Sequence, residues 1–203
     1  MPFRLKQPAR LAIGGLVAAL ALPAAPARAG STTIGFTVTT ERVPDDFNES
    51  KSTDWQASLS HAFDNGLILG GSVKYYDTSH SDAWKTNVEG TAGTAFDLVK
   101  GLSLRVSGGV GEHLQNADNP SFPYYVFYAA LDVTLTPVVT WNAVMARYRN
   151  AFDTENDYNT PELATGFSFK IDDNNTVTVR VERDWSDGEV SYNAIELGYK
   201  YRF

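Results

Sequence analysis

The last nine residues, "IELGYKYRF" at 195–203, alternate between apolar and polar side chains and finish on an aromatic residue. Ile195, Leu197, Tyr199, Tyr201 and Phe203 occupy every second position. Because successive side chains of a β-strand point to opposite faces, this spacing predicts a final strand with one apolar face. Either a protein core or the hydrocarbon of a membrane must cover that face, and the rest of the chain discriminates between the two.

The first 29 residues have the features of a secretory signal peptide. A cationic start leads into the apolar run "LAIGGLVAALAL" at 11–22, and Ala27-Arg28-Ala29 forms an A-x-A cleavage site. The apolar run of 12 residues is too short to cross a membrane as a helix, which needs about 20. We therefore expect residues 1–29 to be removed and residues 30–203 to form one exported domain.

The charge balance of the mature chain excludes some classes of partner. All four charged residues of the predicted signal peptide are basic, so residues 30–203 keep 13 of the 17 Lys+Arg and all 24 Asp+Glu, for a formal charge of −11. A nucleic acid partner is not expected, because a phosphate backbone requires a basic surface. The chain has no cysteine, which excludes disulfide bonds and thiolate chemistry.

Period-two alternation recurs along nearly the whole mature chain, which predicts an all-β protein. Ten strands fit the pattern, although 8 to 12 are compatible with it. Their expected ranges are 33–42, 53–63, 67–77, 85–96, 102–113, 124–135, 138–149, 162–171, 176–185 and 190–203.

Short and long connections alternate between these strands. The short ones, such as "DNG" at 64–66 and "DDNN" at 172–175, are rich in turn-forming residues. The others are mostly longer and polar, for example "LQNADNPSFP" at 114–123 and "NAFDTENDYNTP" at 150–161. If consecutive strands are antiparallel neighbours, the two classes lie at opposite ends, as in transmembrane barrels.

Aromatic residues gather near both ends of the predicted strands. Those expected beside the long loops are Trp55, Tyr75, Trp84, Tyr125 and Trp185, and those beside the short turns are Phe63, Phe96, Trp141 and Phe203. Two aromatic girdles are typical of the two membrane interfaces. A soluble β-sandwich also alternates, but it does not explain the two loop classes or the charges placed mid-strand opposite the apolar face. We therefore predict a single antiparallel transmembrane β-barrel.

The closing stretch resembles the C-terminal recognition signal of Gram-negative outer-membrane β-barrel proteins. In that signal, alternating hydrophobic and aromatic residues run to a final Phe that the barrel-assembly machinery reads. Gly198, Tyr199, Tyr201 and Phe203 match the pattern. The resemblance implies a location in the outer membrane, with outer-membrane lipid, lipopolysaccharide and the assembly machinery as partners.

The hairpin "LSHAFDNGLILGGSVKYY" at 59–76 is similar to hairpins of the oligogalacturonate-type small porins, which pass acidic oligosaccharides. Those barrels have more strands and a lumen rich in arginine, and this chain departs from them in both respects. The similarity implies small solutes as possible ligands.

Residues opposite the apolar face are expected to line the lumen. The charged positions that we assign to it are Lys74, Arg105, Glu112, Arg147, Arg180, Glu182 and Lys200. Strand seven, "TWNAVMARYRN", fits two arrangements, and we place Arg147 and Arg149 inside because an arginine on lipid costs about 2 to 4 kcal/mol at the membrane midplane.

Barrel size limits what these charges can do. About eight strands enclose a space that side chains just fill, so ten should leave little room. Opposite charges in such a lumen must pair, because an isolated buried ion costs several kcal/mol. Two interpretations remain open. The charges form an internal salt-bridge network that stiffens a structural barrel, or Arg105, Arg147 and Arg180 line a narrow, weakly selective porin-like channel.

An enzyme is the alternative class of function, and we rank it lower. Some outer-membrane barrels are lipid or peptide hydrolases or acyltransferases with a site at the outer rim. His113 is the only plausible base here, with Ser121 or Asp184 as conceivable neighbours, and nothing in the sequence brings them together. No motif for a cofactor, a metal site or a catalytic nucleophile is recognisable.

Overall fold

The computed structural model describes residues 30–79, 84–116, 121–156 and 158–203. The predicted signal peptide, residues 1–29, lies outside them. The strands are β1 (Ser31–Arg42), β2 (Ser50–Ala62), β3 (Leu67–Thr78), β4 (Trp84–Val99), β5 (Leu102–Gln115), β6 (Phe122–Thr134), β7 (Val139–Ala151), β8 (Glu162–Lys170), β9 (Asn175–Ser186) and β10 (Glu189–Arg202), with one short 3-10 helix, Thr154–Asn156. In this part of the chain no helix is long and apolar enough to cross a membrane.

Ten antiparallel strands of the described chain close into one barrel. Each strand pairs with its sequence neighbours, and β1 pairs with both β2 and β10. The seam between β1 and β10 runs from Thr33 opposite Arg202 to Arg42 opposite Asn193, and the backbone N–H of Phe203 donates to the carbonyl of Thr32 at 2.9 Å. The predicted all-β barrel and its strand number are confirmed. A closed sheet also leaves no unpaired edge.

The two faces of the barrel have opposite chemistry. Large apolar side chains such as Phe36, Val110, Phe127 and Leu197 are exposed on the outer face. Among the described residues, the buried set contains 15 polar or charged side chains and only 8 hydrophobic ones. A soluble protein buries mainly apolar groups, so this inverted arrangement fits a barrel whose outer surface meets hydrocarbon.

A one-residue bulge in β7 explains why the alternation of this strand is ambiguous. Leu131 of β6 pairs with Val144, whereas the next residue, Asp132, pairs with Asn142, so Ala143 has no partner of its own. The extra residue reverses the alternation along the strand. Trp141 is consequently exposed on the outer face, whereas Arg147 is buried inside.

The connections divide the barrel into two ends. Short turns join β2 to β3, β4 to β5, β6 to β7 and β8 to β9, and we call this the short-turn end. Gly66 and Gly101 in these turns have φ of 85° and 82°, a left-handed backbone that favours glycine. The remaining connections lie at the long-loop end.

Candidate functional site

The lumen is packed most tightly near the long-loop end. A group that we call the rim cluster lies there: Tyr76, Asn87, Glu89, His113, Phe122, Tyr124, Arg149 and Tyr158. Tyr124 and its neighbour Val126 are 0% exposed. This part of the barrel is therefore filled with protein side chains.

Arg149 is the centre of the rim cluster. Its guanidinium lies 3.5 Å from the carboxylate of Glu89 and 4.9 Å from the centre of the Tyr124 ring. Glu89 also accepts hydrogen bonds from the hydroxyls of Tyr124 at 3.2 Å and Tyr128 at 2.7 Å. Because charge-assisted hydrogen bonds are the strong ones, the buried carboxylate is well compensated.

Tyr158 comes from the connection between β7 and β8 and folds back into the mouth of the barrel. Its hydroxyl lies 3.1 Å from Nδ2 of Asn87 and 3.3 Å from Nδ1 of His113. Its ring packs edge-on against Phe122, with the ring centres 5.0 Å apart. A residue outside the strands thus fills part of the lumen at the long-loop end.

Below the rim cluster, a belt of ion pairs runs along the inner wall of the barrel. Arg147 bridges Glu162 at 2.7 Å and Asp184 at 2.9 Å. Lys74 pairs with Asp54 at 3.1 Å, and the Ser52 hydroxyl donates to Asp54 at 2.7 Å. These side chains come from β2, β3, β7, β8 and β9, so the pairs join neighbouring strands of the barrel wall.

Toward the short-turn end the lumen is more open. Arg105 pairs with Asp132 at 2.9 Å, but its side chain remains 43% exposed. Arg180 pairs with Glu196, and its guanidinium also lies 2.7 Å from the sulfur of Met145. The partly hydrated Arg105 indicates that solvent enters the barrel from this end.

A cavity of about 280 Å³ lies in the middle of the lumen. Small residues of β2, β3 and β4, such as Ser58, Gly70 and Thr91, form part of its wall. The charged residues that line it are Lys74, Glu89, Arg147, Arg149, Glu162, Arg180, Glu182 and Glu196. Four cations and four anions border the cavity, so its formal charge is balanced.

Six of the seven charged residues that the sequence assigns to the lumen lie on the inner face. Lys74, Arg147 and Glu182 are buried, Arg180 is paired, Arg105 is partly exposed and Lys200 is exposed near the short-turn end.

The assignment of Glu112 to the lumen is wrong. β5 pairs with β6 without a register shift, so positions of opposite parity on this strand face opposite ways. Arg105 and the buried His113 are inside, and Glu112 therefore lies on the outer face. The sequence prediction placed Arg105 and Glu112 on one face of the same strand, which would have required a bulge between them.

The four residues of the expected assembly signal lie on β10 and at the chain end. Tyr199, Tyr201 and Phe203 are exposed, and the rings of Tyr201 and Phe203 meet edge to face at 4.9 Å. Gly198 is on the inner face. Recognition of these residues by an assembly machinery remains a prediction.

The residues suggested for catalysis are not assembled into a site. His113 is buried, and its Nδ1 lies 2.6 Å from Oδ1 of Asn87. Asp184 instead pairs with Arg147, and no hydrogen bond joins Ser121 or Asp184 to His113 in the described ranges. The same residues contain no group of three or more His, Cys, Asp or Glu that could hold a metal ion.

Sequence reasoning missed several members of the network. Glu162 is the first residue of its predicted strand and Asp54 is the second residue of its own, where uncertain strand ends hide the direction of a side chain. Because alternate residues of a strand face the same way, Asp54 shares its face with Gln56, and Glu162 shares its face with Ala164. This shared face was the available signal that both carboxylates point inward. Tyr158 lies in a loop, where no periodicity predicts an inward direction.

No protein-family model matches the chain, and no curated protein matches it. Solved structures do match. The β-domain of the Bordetella autotransporter BrkA aligns with 85% of this chain and 99% of its own, at 10% identity and a TM-score of 0.55. The translocator domain of the autotransporter NalP from Neisseria meningitidis aligns with 94% and 95%, at 12% identity and a TM-score of 0.53.

A porin is also similar. The NanC porin aligns with 83% of this chain and 98% of its own, at 8% identity and a TM-score of 0.52. At such identities the likeness concerns the fold alone, and an oligogalacturonate specificity remains a prediction. The chain has the fold of outer-membrane β-barrel proteins.

Proposed function

We propose that this chain is an integral outer-membrane protein whose lumen is closed in the resting state, with a structural role in the envelope. The signal peptide is removed, both mature termini lie in the periplasm, and the long loops face the exterior. Outer-membrane lipid, including lipopolysaccharide, surrounds the barrel, and the barrel-assembly machinery inserts it through the C-terminal signal.

The packing of the long-loop half of the lumen carries this proposal. Tyr124 and Val126 are 0% exposed and Asp54 is 1% exposed, so these side chains are packed against other protein atoms. The ion pair between Arg149 of β7 and Glu89 of β4 crosses the same region. A freely conducting porin needs a water-filled lumen, whereas a barrel filled by side chains is a rigid wall.

Membrane insertion is tested first. The mature protein should sediment with outer membranes and should change its gel mobility when it is boiled in detergent. Recovery of residues 30–203 as a folded protein that is soluble without detergent would contradict the proposal.

Conductance separates a closed barrel from a channel. Reconstituted into planar bilayers, the wild-type protein should give no steady current steps. A variant with Tyr124→Ala and Tyr158→Ala, which empties part of the rim cluster, should conduct, while Val110→Ala on the outer face should behave as wild type. Steady steps from the wild type would overturn the closed state.

A narrow channel for small solutes is the second candidate. The cavity of about 280 Å³ and the 43% exposed Arg105 favour it, because only the long-loop half of the lumen would have to open. In that case the wild type conducts, and Arg105→Ala or Arg180→Ala changes the ion selectivity. A rim enzyme lacks comparable support, since among the described residues His113 bonds to Asn87 and Tyr158 and not to Ser121 or Asp184.

A further inference from the structure

Two arginines on the outer face lack acidic partners. The inward-facing Arg105, Arg147, Arg149 and Arg180 each form a salt bridge. Arg42 and Arg183 form none with any carboxylate of the described chain. Arg42 makes one hydrogen bond, at 3.5 Å to the carbonyl of Asn48, and Arg183 makes one through Nε, at 2.8 Å to Oδ1 of Asn193. The Nε of Arg42 is buried without a partner, so the donors that remain available are those of the terminal guanidinium nitrogens.

These arginines lie in one row across three neighbouring strands. Arg42 of β1 pairs with Asn193 of β10, and Asn193 pairs with Arg183 of β9. Adjacent strands are about 4.8 Å apart, so the two Cα atoms are separated by about 10 Å. Two guanidinium groups at that spacing can converge on one anionic head group.

An open groove of about 590 Å³ begins at this row and runs along the outer face. Its outward-facing wall consists of Val144, Leu163, Val181 and the bulged Ala143, with Phe47 from the connection between β1 and β2 on the other side. Arg183 and Asn193 line the groove at its polar end. The combination of an apolar wall and a cationic end suits a lipid.

On the strands themselves, outward-facing charges near the long-loop end are distributed unevenly around the barrel. Arg42 and Arg183 lie on β1 and β9, whereas Asp77 and Glu112 lie on β3 and β5. The connections beside the two arginines carry the exposed carboxylates Asp45, Asp46, Glu49 and Asp187, none of which forms a salt bridge with Arg42 or Arg183, so the guanidinium groups remain the groups of the wall that can bind an anionic head group. Since the strands end within a few residues of Arg183, the arginine also lies where exposure to the membrane costs only about 0 to 1 kcal/mol.

We propose that this surface, Arg42, Asn193 and Arg183 with the groove below them, binds the phosphorylated glycolipid of the outer leaflet, lipid A. A phosphate accepts hydrogen bonds from the two arginines, and an acyl chain lies against Val181 and Leu163. The inference rests on the proposed function, because the orientation with long loops outward puts this row in the outer leaflet.

The test uses the mature protein refolded in detergent and titrated with purified bisphosphorylated lipid A, with bound lipid counted by native mass spectrometry. Wild type should retain lipid A, and a variant with Arg42→Gln and Arg183→Gln should bind it about tenfold more weakly or worse, since charge-assisted hydrogen bonds are lost. The matched control is Arg202→Gln, a charge removal at the short-turn end, which should leave the affinity unchanged.

Two further lipids test whether the surface prefers phosphorylated lipid A to other lipids. Lipid A without phosphates should bind the wild type as weakly as lipid A binds the double variant, and phosphatidylglycerol should also bind weakly. Equal retention of either lipid, or an unchanged affinity of the double variant, would overturn the inference. The boiling-dependent gel shift is recorded on the same samples. If the protein shows the boiling-dependent gel shift but no phosphate-dependent binding, only this inference is contradicted. If the gel shift itself is missing, the proposed function is contradicted as well.

Discussion

The guanidinium of Arg149 lies over the ring of Tyr124, 4.9 Å from its centre. Cation–π contact at such a distance adds to the ion pair with Glu89, and the same ring fills the long-loop half of the lumen. One arginine therefore neutralises a buried carboxylate and holds the aromatic group that blocks the barrel.

Replacing Arg149 with alanine should lower the free energy of unfolding by about 3 to 5 kcal/mol, because Glu89 would be left as a buried, uncompensated charge. The Arg149 and Glu89 side chains are 6% and 5% exposed. Urea unfolding in lipid vesicles, followed by gel shift, measures the change. Lys170→Ala is the control, since Lys170 and Asp173 are 45% and 95% exposed and such surface pairs contribute about 1 kcal/mol or less. Equal losses in the two variants would contradict this account.

Two glycines of neighbouring strands provide a matched test of packing in the rim. A Cβ on Gly111 would overlap the ring of Tyr124, which is 0% exposed and cannot move aside, whereas a Cβ on Gly90 meets nothing within 4 Å. Gly111→Ala should therefore cost about 1 to 3 kcal/mol of unfolding free energy. Gly90→Ala should be neutral or slightly stabilising, because glycine weakens a strand. Urea titration in lipid vesicles measures the free energy of unfolding of both variants. An unchanged value for Gly111→Ala would show that the lumen is not tightly filled at this position.

Deletion of Ala143 should prevent formation of the barrel. Without the bulge, β7 keeps a single alternation, so either Arg147 and Arg149 face lipid or Trp141 enters the lumen. Each arginine on lipid costs about 2 to 4 kcal/mol at the midplane. Refolding into detergent should yield no species that shifts on boiling, while Ala143→Ser should fold normally. A deletion variant with wild-type gel behaviour would refute the assignment of the bulge.

The turn between β8 and β9 predicts a pH dependence. The pKa of Asp172 is lowered because the backbone N–H of Asn174 and then the side-chain amide and backbone N–H of Asn175 donate to its carboxylate. Since the folded pKa is below the ordinary value of 3.8, the stabilisation is present above that value and is lost as the pH falls through the folded pKa.

Asp172→Ala should consequently destabilise the protein near neutral pH, and its difference from wild type should shrink at strongly acidic pH. Urea titrations of the wild type and of Asp172→Ala, at neutral and at strongly acidic pH, measure this difference in the free energy of unfolding. Asp173→Ala, which removes an exposed carboxylate of the same turn, is the control. A difference for Asp172→Ala that does not change with pH would disprove the role of these hydrogen bonds.

The fold was predictable because hydrocarbon imposes a strict rule on every strand. Ile195, Leu197 and Tyr199 must all face one way, and a period of two carries that information without any knowledge of distant contacts. The arrangement of the lumen was less predictable. Inward charges such as Arg147 can be recognised by parity, but their partners depend on the register between strands. Glu162 lies directly opposite Arg147, and Asp184 lies opposite Glu162, and no local pattern encodes that register.

One ambiguity, one error and one omission of the sequence prediction have physical causes. A bulge reverses parity without leaving a composition signal, which is why β7 fitted two arrangements. Glu112 is the error. β5 has no bulge, so strict alternation from Arg105 places Glu112 on the outer face. Tyr158 was invisible for a third reason, since a loop side chain is placed by the cavity that it fills.

The pairing of Thr33 with Arg202 across the seam has a consequence for biogenesis. β1 acquires its second neighbour, β10, only when the last strand has been made, so closure must follow the synthesis of β10. Until then two strand edges are unpaired and can pair with other chains. Joining residues 30 and 203 by a short linker and reopening the chain at a short turn should give a circular permutant with the same architecture.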